Sequence, residues 1–203
     1  MDKKIILASK SKVRKKILEQ YNIKCEVKPS HVDEEAVKKS LDKQNASPEI
    51  VSKNLAELKS NKISQKFPES FVIGADSVID LEGKVLSKPD DRKEAMKILK
   101  SLNGKTHYLI SSVCLSKNGG MIWNYTDKAA LTMKEMANEE LELYLSKISD
   151  DDLFAYNVYQ IEGLGRNLFS KIEGDENTIM GLPVEKIKEY LRFCILYLLN
   201  KLM

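Results

Sequence analysis

The strongest strand signal in the chain is the stretch Phe71 to Ile79, with the sequence FVIGADSVI. Its aromatic and β-branched residues favour a buried strand, and Glu82-Gly83 after it indicates a hairpin turn before Leu86 to Pro89. One charged residue, Asp76, lies inside this apolar run. Because a charge on a buried strand is costly unless it is paired or bound to a metal, Asp76 is the acid most expected to have a chemical role.

The segments before this strand predict further strands and helices. The run Lys4 to Leu7 predicts a buried strand, the polar loop Ser9 to Ser11 ends it, and a helix with Val13, Ile17, Leu18 and Tyr21 on one face follows. Ile23 to Val27 alternates as a second strand would. Ser47-Pro48 then predicts the start of a long amphipathic helix with Ile50, Leu55, Leu58 and Ile63 on its apolar face.

The segments after the strand combine hairpins with helices. The pattern predicts a helix from about Asp91 to Leu102 that ends at Asn103-Gly104, followed by long antiparallel strands over Thr106 to Leu115 and Met121 to Met133. It then predicts a helix capped by Asn138 and running through Leu145, and a loop at Asp150 to Asp152. Short strands at Leu168 to Ile172 and Thr178 to Met180 and a last helix starting at Pro183 complete the chain. Crossovers together with hairpins predict an α/β fold whose sheet is mixed.

Length and composition limit the class of protein. The 203 residues predict one domain over residues 1–203, and the net charge of +3, from 33 basic and 30 acidic residues, argues against a nucleic-acid partner. Three scattered cysteines, Cys25, Cys114 and Cys194, favour reduced thiols in a cytoplasmic protein. We expect no secretion signal at the start of the chain. Leu191 to Met203 is too short and too polar to span a membrane, so we expect a terminal helix that packs on the body or on a second subunit.

Several polar segments are candidates for chemistry. The loop Ala8 to Lys15 joins a strand to a helix, where free N–H groups favour an anion, although an ordinary cap by Ser11 with a solvated basic face explains it equally well. Val32 to Glu35 offers carboxylates that suit Mg²⁺ or Mn²⁺ together with Asp76, or that cap a helix. Lys59 and Lys88, each considered alone, are typical of solvated lysines. The paired glycines of Glu162 to Gly165 permit close approach to a ligand.

Taken in order, these segments resemble the Maf family. The resemblance rests on Leu7 to Arg14, Val32-Asp33-Glu34, Lys59, Gly74 to Val78, Lys88-Pro89, Leu102 to His107, Glu162 to Gly165 and Gly181-Leu182-Pro183. It implies an ITPase-like, elongated mixed β-sheet flanked by helices, with two lobes around a central cleft and commonly a homodimer. It also implies hydrolysis of a nucleoside triphosphate to the monophosphate and pyrophosphate.

The resemblance assigns roles to individual residues. Asp76 would be the catalytic acidic residue, Glu34 and Asp76 would hold a divalent cation, Mg²⁺ or Mn²⁺, and the base would meet Ser77 and Glu162. The triphosphate would contact Ser9, Arg14, Lys59 and Lys88. The chain departs from the usual Ser-Pro-Arg-Arg of the family, because Lys12 and Val13 stand where the proline and the first arginine are found.

The identity of the base is less constrained. By resemblance, Glu162 in the segment Tyr159 to Gly163 favours 7-methyl-GTP, because a carboxylate accepts from the donors of a guanine edge. Ala75 to Ser77 is closer to the branch that acts on dTTP and UTP, and Glu162 could instead pair with a nearby Arg or Lys. Two alternatives to the activity stay open, a nucleotide-binding regulator of cell division or septation that has lost turnover, and a metal-dependent phosphatase.

Overall fold

The computed structural model describes residues 4–200, and only the backbone of residues 154–156 and 195–200. Strands alternate with helices in the first half of the chain, and long hairpins dominate its centre. The strands are β1 (Ile5–Leu7), β2 (Glu26–Val27), β3 (Phe71–Leu81), β4 (Lys84–Leu86), β5 (Thr106–Lys117), β6 (Gly120–Met133) and β7 (Phe169–Glu173). The helices are α1 (Lys12–Gln20), α2 (Glu34–Asp42), α3 (Pro48–Ser64), α4 (Arg92–Leu102), α5 (Asn138–Ser146), α6 (Asp150–Tyr156), α7 (Glu176–Ile179) and α8 (Val184–Asn200), with a 3-10 helix at Leu164–Leu168.

Within the described residues, these strands form one seven-stranded mixed sheet, which confirms the predicted fold class. The order is β2-β1-β3-β5-β6-β7, with β4 paired to β3. β1 runs parallel to β2 and β3, whereas the pairs from β3 through β7 are antiparallel. β1 pairs with β3 only as far as Ile73, and β4 on the same edge starts pairing at Ile79. The edge of β3 between these two points, residues 74–78, therefore faces a gap rather than a strand.

The gap coincides with a change of hydrophobic core. On one face of β3, Ile73 and Ala75 belong to a core with α1 and α8, whereas Ile79 and Leu81 belong to another with α4 and α5. Ser77 lies between them. Helix α3 covers the other face, where Val78 packs against Val51 and Leu55 of that helix. Residues 74–78 of β3 therefore lie where the core on this face changes from one cluster to the other.

Helix α3 begins at Pro48 as predicted, with Ser47 capping it, but only half of its predicted apolar face is buried. Leu55 and Ile63 are buried as predicted, whereas Ile50 and Leu58 are 47% and 42% exposed. The buried face also carries small and polar residues that were not predicted, with Ser52, Ala56, Lys59, Ser60 and Ser64 among them. The reason is close packing: a Cβ added to Gly74 of β3 would lie 2.2 Å from the Ala56 carbonyl oxygen, so large side chains do not fit there.

Other boundaries also needed correction. The strand predicted from Ile23 is confined to Glu26–Val27. The acidic residues Asp150 to Asp152 form the first turn of α6 rather than a loop, because Ser149 caps that turn and negative charge is favoured at a helix N-terminus. Thr178 lies in α7, not in a strand, since Asp175 accepts from its backbone N–H and nucleates a turn.

Further local predictions held closely. The turns Glu82-Gly83 and Asn118-Gly119 have positive φ at both residues, as tight hairpin turns require. The helix predicted from Asn138 is capped one residue earlier, at Ala137, through Glu140. Helix α8 follows Pro183 and packs on the body through Val184 and Ile187; residues 201–203 of the predicted terminal helix lie outside the described residues.

The cysteines and the helices bear on two of the expectations drawn from composition. Cys25, Cys114 and Cys194 are free thiols. Among residues 4–200, no helix is long and apolar enough to cross a membrane.

Candidate active site

A cavity of about 810 Å³ opens at the gap beside β3. Its volume is within the range of pockets that enclose a small ligand, and it is large enough for a nucleotide. It brings together residues from the whole length of the chain, including every predicted site residue: Ser9, Arg14, Glu34, Lys59, Asp76, Ser77, Lys88 and Glu162. The gap explains the position, because the sheet edge that lacks a neighbouring strand there is open to a ligand.

Three charged side chains meet at the wall formed by α3 and β3. Lys59 Nζ lies 2.6 Å from Asp76 Oδ1 and 2.9 Å from Glu34 Oε1. The Lys59 and Asp76 side chains are each only 7% exposed, whereas that of Glu34 is 46% exposed. Lys59 is therefore not the solvated lysine that its sequence context alone suggests, and Asp76 is paired with a lysine rather than with a turn.

The protonation behaviour of the two acids differs. Burial raises the pKa of Asp76 above its usual range, although Lys59 and Arg14 act in the opposite direction. Burial also acts to raise the pKa of Glu34, but there the positive charges of Lys59, Lys38 and Arg14 prevail, so its pKa is lowered. The pKa values of the two carboxylates are therefore shifted in opposite directions, and only that of Asp76 is raised.

The unpaired oxygen of Asp76 indicates a missing partner. Oδ2 is buried and accepts no hydrogen bond from the described residues. No group of three or more His, Cys, Asp or Glu among residues 4–200 could bind a metal ion alone. Two carboxylates nevertheless suit Mg²⁺, which is usually held by one or two protein carboxylates together with substrate phosphates and water. The orphaned oxygen of Asp76 and the adjacent Glu34 therefore fit such a cation.

The loop after β1 and the start of α1 form the next part of the wall. Ser11 caps α1 by accepting from the Arg14 backbone N–H, and Ser9 Oγ accepts from the Ser11 N–H. The ordinary cap that was one reading of this loop is thus present. It does not exclude the other reading, because Lys10 and Lys12 also line the cavity beside the helix N-terminus.

Arg14 is held mostly by the protein itself. Its Nη1 donates to the Ala75 carbonyl at 2.9 Å and to Ser9 Oγ at 3.3 Å. Its Nε donates to the Gly181 carbonyl at 2.9 Å, and its Nη2 donates to Ser77 Oγ at 3.1 Å. Ala75 lies in the gap of the sheet, so Arg14 replaces the missing strand as a donor. Burial lowers the pKa of Arg14 against the influence of Asp76 and Glu34.

Lys88, which follows β4, also lines the cavity. Partial desolvation lowers its pKa, an effect that Arg14 and Lys38 add to and Glu34 and Asp76 oppose. Lys88 is exposed. It adds its positive charge to that of Lys10, Lys12 and Arg14 in the lining of the cavity.

Another part of the cavity lining comes from residues 157–162. Asn157, Tyr159, Gln160 and Glu162 line it, and Glu162 is exposed. No ion pair of Glu162 is found among residues 4–200, so the alternative of a carboxylate neutralised by Arg or Lys finds no support there. Gly165 permits close packing within the chain rather than close approach of a ligand, because a Cβ at that position would lie 2.5 Å from the Gln160 carbonyl oxygen.

Gly181 is a site residue whose role was not predicted. Its carbonyl accepts from Arg14, its φ is +99°, and an added Cβ would lie 3.0 Å from Ser77 Oγ. A side chain there would be strained and would press on Ser77. The sequence Gly181-Leu182-Pro183 was part of the resemblance, but only the fold reveals that it faces Arg14.

The chain is similar to known proteins over most of its length. Residues 4–194 match the family described as Maf-like protein. A nucleoside triphosphate pyrophosphatase of Pelagibacter ubique is 73% identical over 95% of this chain and 98% of its own. A 7-methyl-GTP pyrophosphatase of Rhizobium etli is 39% identical over 91% of this chain and 92% of its own. The Staphylococcus aureus Ham1 protein is 17% identical with a TM-score of 0.41, covering 67% of this chain and 73% of that one.

Proposed function

The chain belongs to the Maf family, and from this premise we propose that it is a nucleoside triphosphate pyrophosphatase that releases pyrophosphate and a nucleoside monophosphate. The observation that carries the proposal is the Lys59–Asp76–Glu34 cluster at the wall of the cavity, with one buried Asp76 oxygen left unpaired. Such a group can accept a proton from a water molecule beside a bound triphosphate.

In the reaction we propose, a water oxygen forms a bond to the α-phosphorus while the bond to the bridging α,β-oxygen breaks. The bridging oxygen leaves with the pyrophosphate. The proton of the water passes to Asp76 Oδ2 where that oxygen is free; in the alternative, in which Asp76 Oδ2 only ligates the cation, the proton passes to solvent. Lys59 holds Oδ1 at 2.6 Å, so that Oδ2 is the oxygen left without a hydrogen-bond partner among the described residues. The raised pKa of Asp76 suits this role, since a more basic carboxylate accepts a proton more readily.

The cations around the cavity stabilise the negative charge of the triphosphate. Lys88 and the remaining N–H of Arg14 are proposed to contact phosphate oxygens, with Ser9 beside them, because charge-assisted hydrogen bonds are among the stronger polar contacts. Glu34 and Asp76 would together hold a divalent cation, Mg²⁺ or Mn²⁺. Such a cation, when bound, supplies Lewis-acid neutralisation of the phosphate oxygens.

We propose that the base lies at the end lined by Glu162. A carboxylate only accepts hydrogen bonds, so it favours the N–H donors of a guanine edge and disfavours the carbonyl oxygens of uracil or thymine. This supports 7-methyl-GTP over dTTP and UTP, and the Rhizobium etli relative carries that activity in its name. Ser77 already bonds Arg14 and Ser111, so its proposed contact with the base would use its remaining lone pair.

The test is a panel of nucleoside triphosphates, with 7-methyl-GTP, UTP and dTTP among them, assayed with Mg²⁺ or Mn²⁺ while pyrophosphate and orthophosphate are resolved. Pyrophosphate as the product, with 7-methyl-GTP turned over most efficiently, is the expected result. Orthophosphate as the product would support the metal-dependent phosphatase. Nucleotide binding without turnover would support the regulator of division or septation.

The homodimer and the cytoplasmic location stay predictions. Light scattering coupled to gel filtration would measure the mass in solution directly. A monomer at micromolar concentration would contradict the predicted dimer.

A further inference from the structure

A row of polar side chains crosses the sheet behind the cavity. Ser77 of β3, Ser111 of β5 and Asp127 of β6 are successive cross-strand partners, so their side chains share one face. Ser111 is fully buried and does not line the cavity. Buried polar groups in a sheet cost stability unless each is satisfied, so their hydrogen bonds reveal what they hold in place.

The direction of each bond in this row is determined. Ser111 Oγ donates its single proton to the Thr178 carbonyl at 2.7 Å. In the 2.8 Å contact between Ser111 Oγ and Ser77 Oγ, Ser77 must therefore be the donor. Ser77 Oγ then has lone pairs left to accept from Arg14 Nη2.

These bonds close into a ring. The Thr178 carbonyl also accepts from the Gly181 N–H at 3.0 Å, and the Gly181 carbonyl accepts from Arg14 Nε. The ring thus runs from Arg14 through Ser77, Ser111, Thr178 and Gly181 back to the same guanidinium. Both arms of the ring start at N–H donors of Arg14 and end at the Thr178 carbonyl, one through the Ser77 and Ser111 hydroxyls and the other through the Gly181 peptide. Ser77 Oγ also makes a longer contact, of 3.4 Å, to the Gly181 carbonyl. Within the serine arm, each hydrogen bond polarises the next.

Asp127 anchors the ring from outside. Its Oδ2 accepts from Thr178 Oγ1 at 2.6 Å, while the Thr178 N–H donates to Asp175. Thr178 is fully buried. The segment that carries the Gly181 carbonyl is therefore fixed to β6 as well as to β5.

We propose that Ser111, supported by Thr178 and Asp127, is a positioning residue that fixes the plane of the Arg14 guanidinium. The ring and the Ser9 and Ala75 contacts occupy four of its five N–H donors and leave one N–H on Nη2 for a ligand. This role rests on the proposed function in one respect, namely that the ligand is a triphosphate. Ser111 itself touches no ligand and acts through Ser77 and Gly181.

The test compares Ser111→Ala with Ser116→Ala. Ser116 is a matched control, because it is equally buried on β5 and its hydroxyl also makes two short bonds, to Ser60 and Asn61, away from the cavity. Solution NMR of the arginine Nε–H groups measures the fixation directly, with the Arg14 signal assigned by its loss in Arg14→Lys. We expect water exchange of that Nε–H to rise at least fivefold in Ser111→Ala and to stay unchanged in Ser116→Ala.

The kinetic arm uses the nucleotide that wild type hydrolyses best. Ser111→Ala should lower kcat/KM about tenfold relative to Ser116→Ala, and Ser77→Thr, which keeps the hydroxyl, should retain activity that Ser77→Ala loses.

Equal exchange of the Arg14 Nε–H in Ser111→Ala and Ser116→Ala would show that the ring does not fix Arg14. Faster exchange in Ser111→Ala with unchanged kcat/KM would show that Ser111 does not position Arg14 for the reaction. If wild type hydrolyses no nucleotide, the proposed function fails while the NMR arm still decides the ring. Should Ser111→Ala not fold, Ser111→Cys replaces it, since it keeps the volume and weakens the donor.

Discussion

Replacing Lys59 by methionine should lower the unfolding temperature as well as abolish turnover. Methionine keeps the length of the side chain but leaves Asp76 and Glu34 without their shared ammonium. Breaking a buried ion pair by removing one partner costs about 3–5 kcal/mol, and the exposure of Glu34 to water argues for the lower end of that range. For a domain of this size, about 3 kcal/mol corresponds to a fall of roughly 6–12 °C in Tm.

The pH dependence of this loss has a definite sign. Lys59 is the largest influence that lowers the pKa of Asp76 against its burial, so removing Lys59 raises that pKa further. A carboxyl whose pKa is higher in the folded than in the unfolded state contributes stability at low pH, and that contribution is lost as pH rises through the folded value. The deficit of Lys59→Met should therefore be larger at pH 8 than at pH 5.

The measurement is thermal unfolding followed by circular dichroism at the two pH values, with Lys53→Met as the control. Lys53 lies on the same helix and is exposed, so its replacement should change stability by less than about 0.5 kcal/mol. If Lys59→Met melts within about 2 °C of Lys53→Met at pH 8, the buried ion pair is not what stabilises this wall of the cavity.

Four further results are expected. Asp76→Asn should abolish pyrophosphate release with the circular dichroism spectrum unchanged, and turnover at the wild-type rate would remove Asp76 from the mechanism. Treatment with a chelator should stop turnover and added Mg²⁺ or Mn²⁺ should restore it, so full activity in metal-free buffer would contradict the cation site. Lys88→Ala should cost catalysis about 1.5 kcal/mol, measured as kcat/KM, with Tm nearly unchanged because Lys88 is exposed. Glu162→Gln should lower the ratio of kcat/KM for 7-methyl-GTP to kcat/KM for UTP, and an unchanged ratio would show that Glu162 does not recognise the base.

Much of the fold could be predicted because its signals are local. The hairpin turns at Glu82-Gly83 and Asn118-Gly119 and the cap at Ser47 depend on a few adjacent residues. The buried face of α3 could be predicted only in part, since the apolar pattern identifies Leu55 and Ile63 correctly but also includes the exposed Ile50 and Leu58. What decides that face is the close approach of β3, which is a contact between distant parts of the chain.

The residues of the site differ in the same way in how far they could be predicted from the sequence. Asp76 could be singled out because a charge inside an apolar strand is anomalous by itself. Ser111 carries no such signal, since a serine in a strand is ordinary until the register places it between Ser77 and Asp127. The burial of Lys59 is equally a property of the packed helix and strand rather than of its neighbours in sequence.

Gly74 sets the distance between α3 and β3, and the two charged residues of the cavity wall are close to that contact. Ala56, which Gly74 faces, precedes Lys59 by one helical turn, and Gly74 precedes Asp76 by one strand repeat. A methyl group at position 74 would push the helix outward and lengthen the Lys59–Asp76 contact without altering any residue of the cavity. Gly74 touches no ligand, so it would be classed as a structural residue. We nevertheless expect a small substitution such as Gly74→Ala to reduce turnover, because it would separate Lys59 from Asp76.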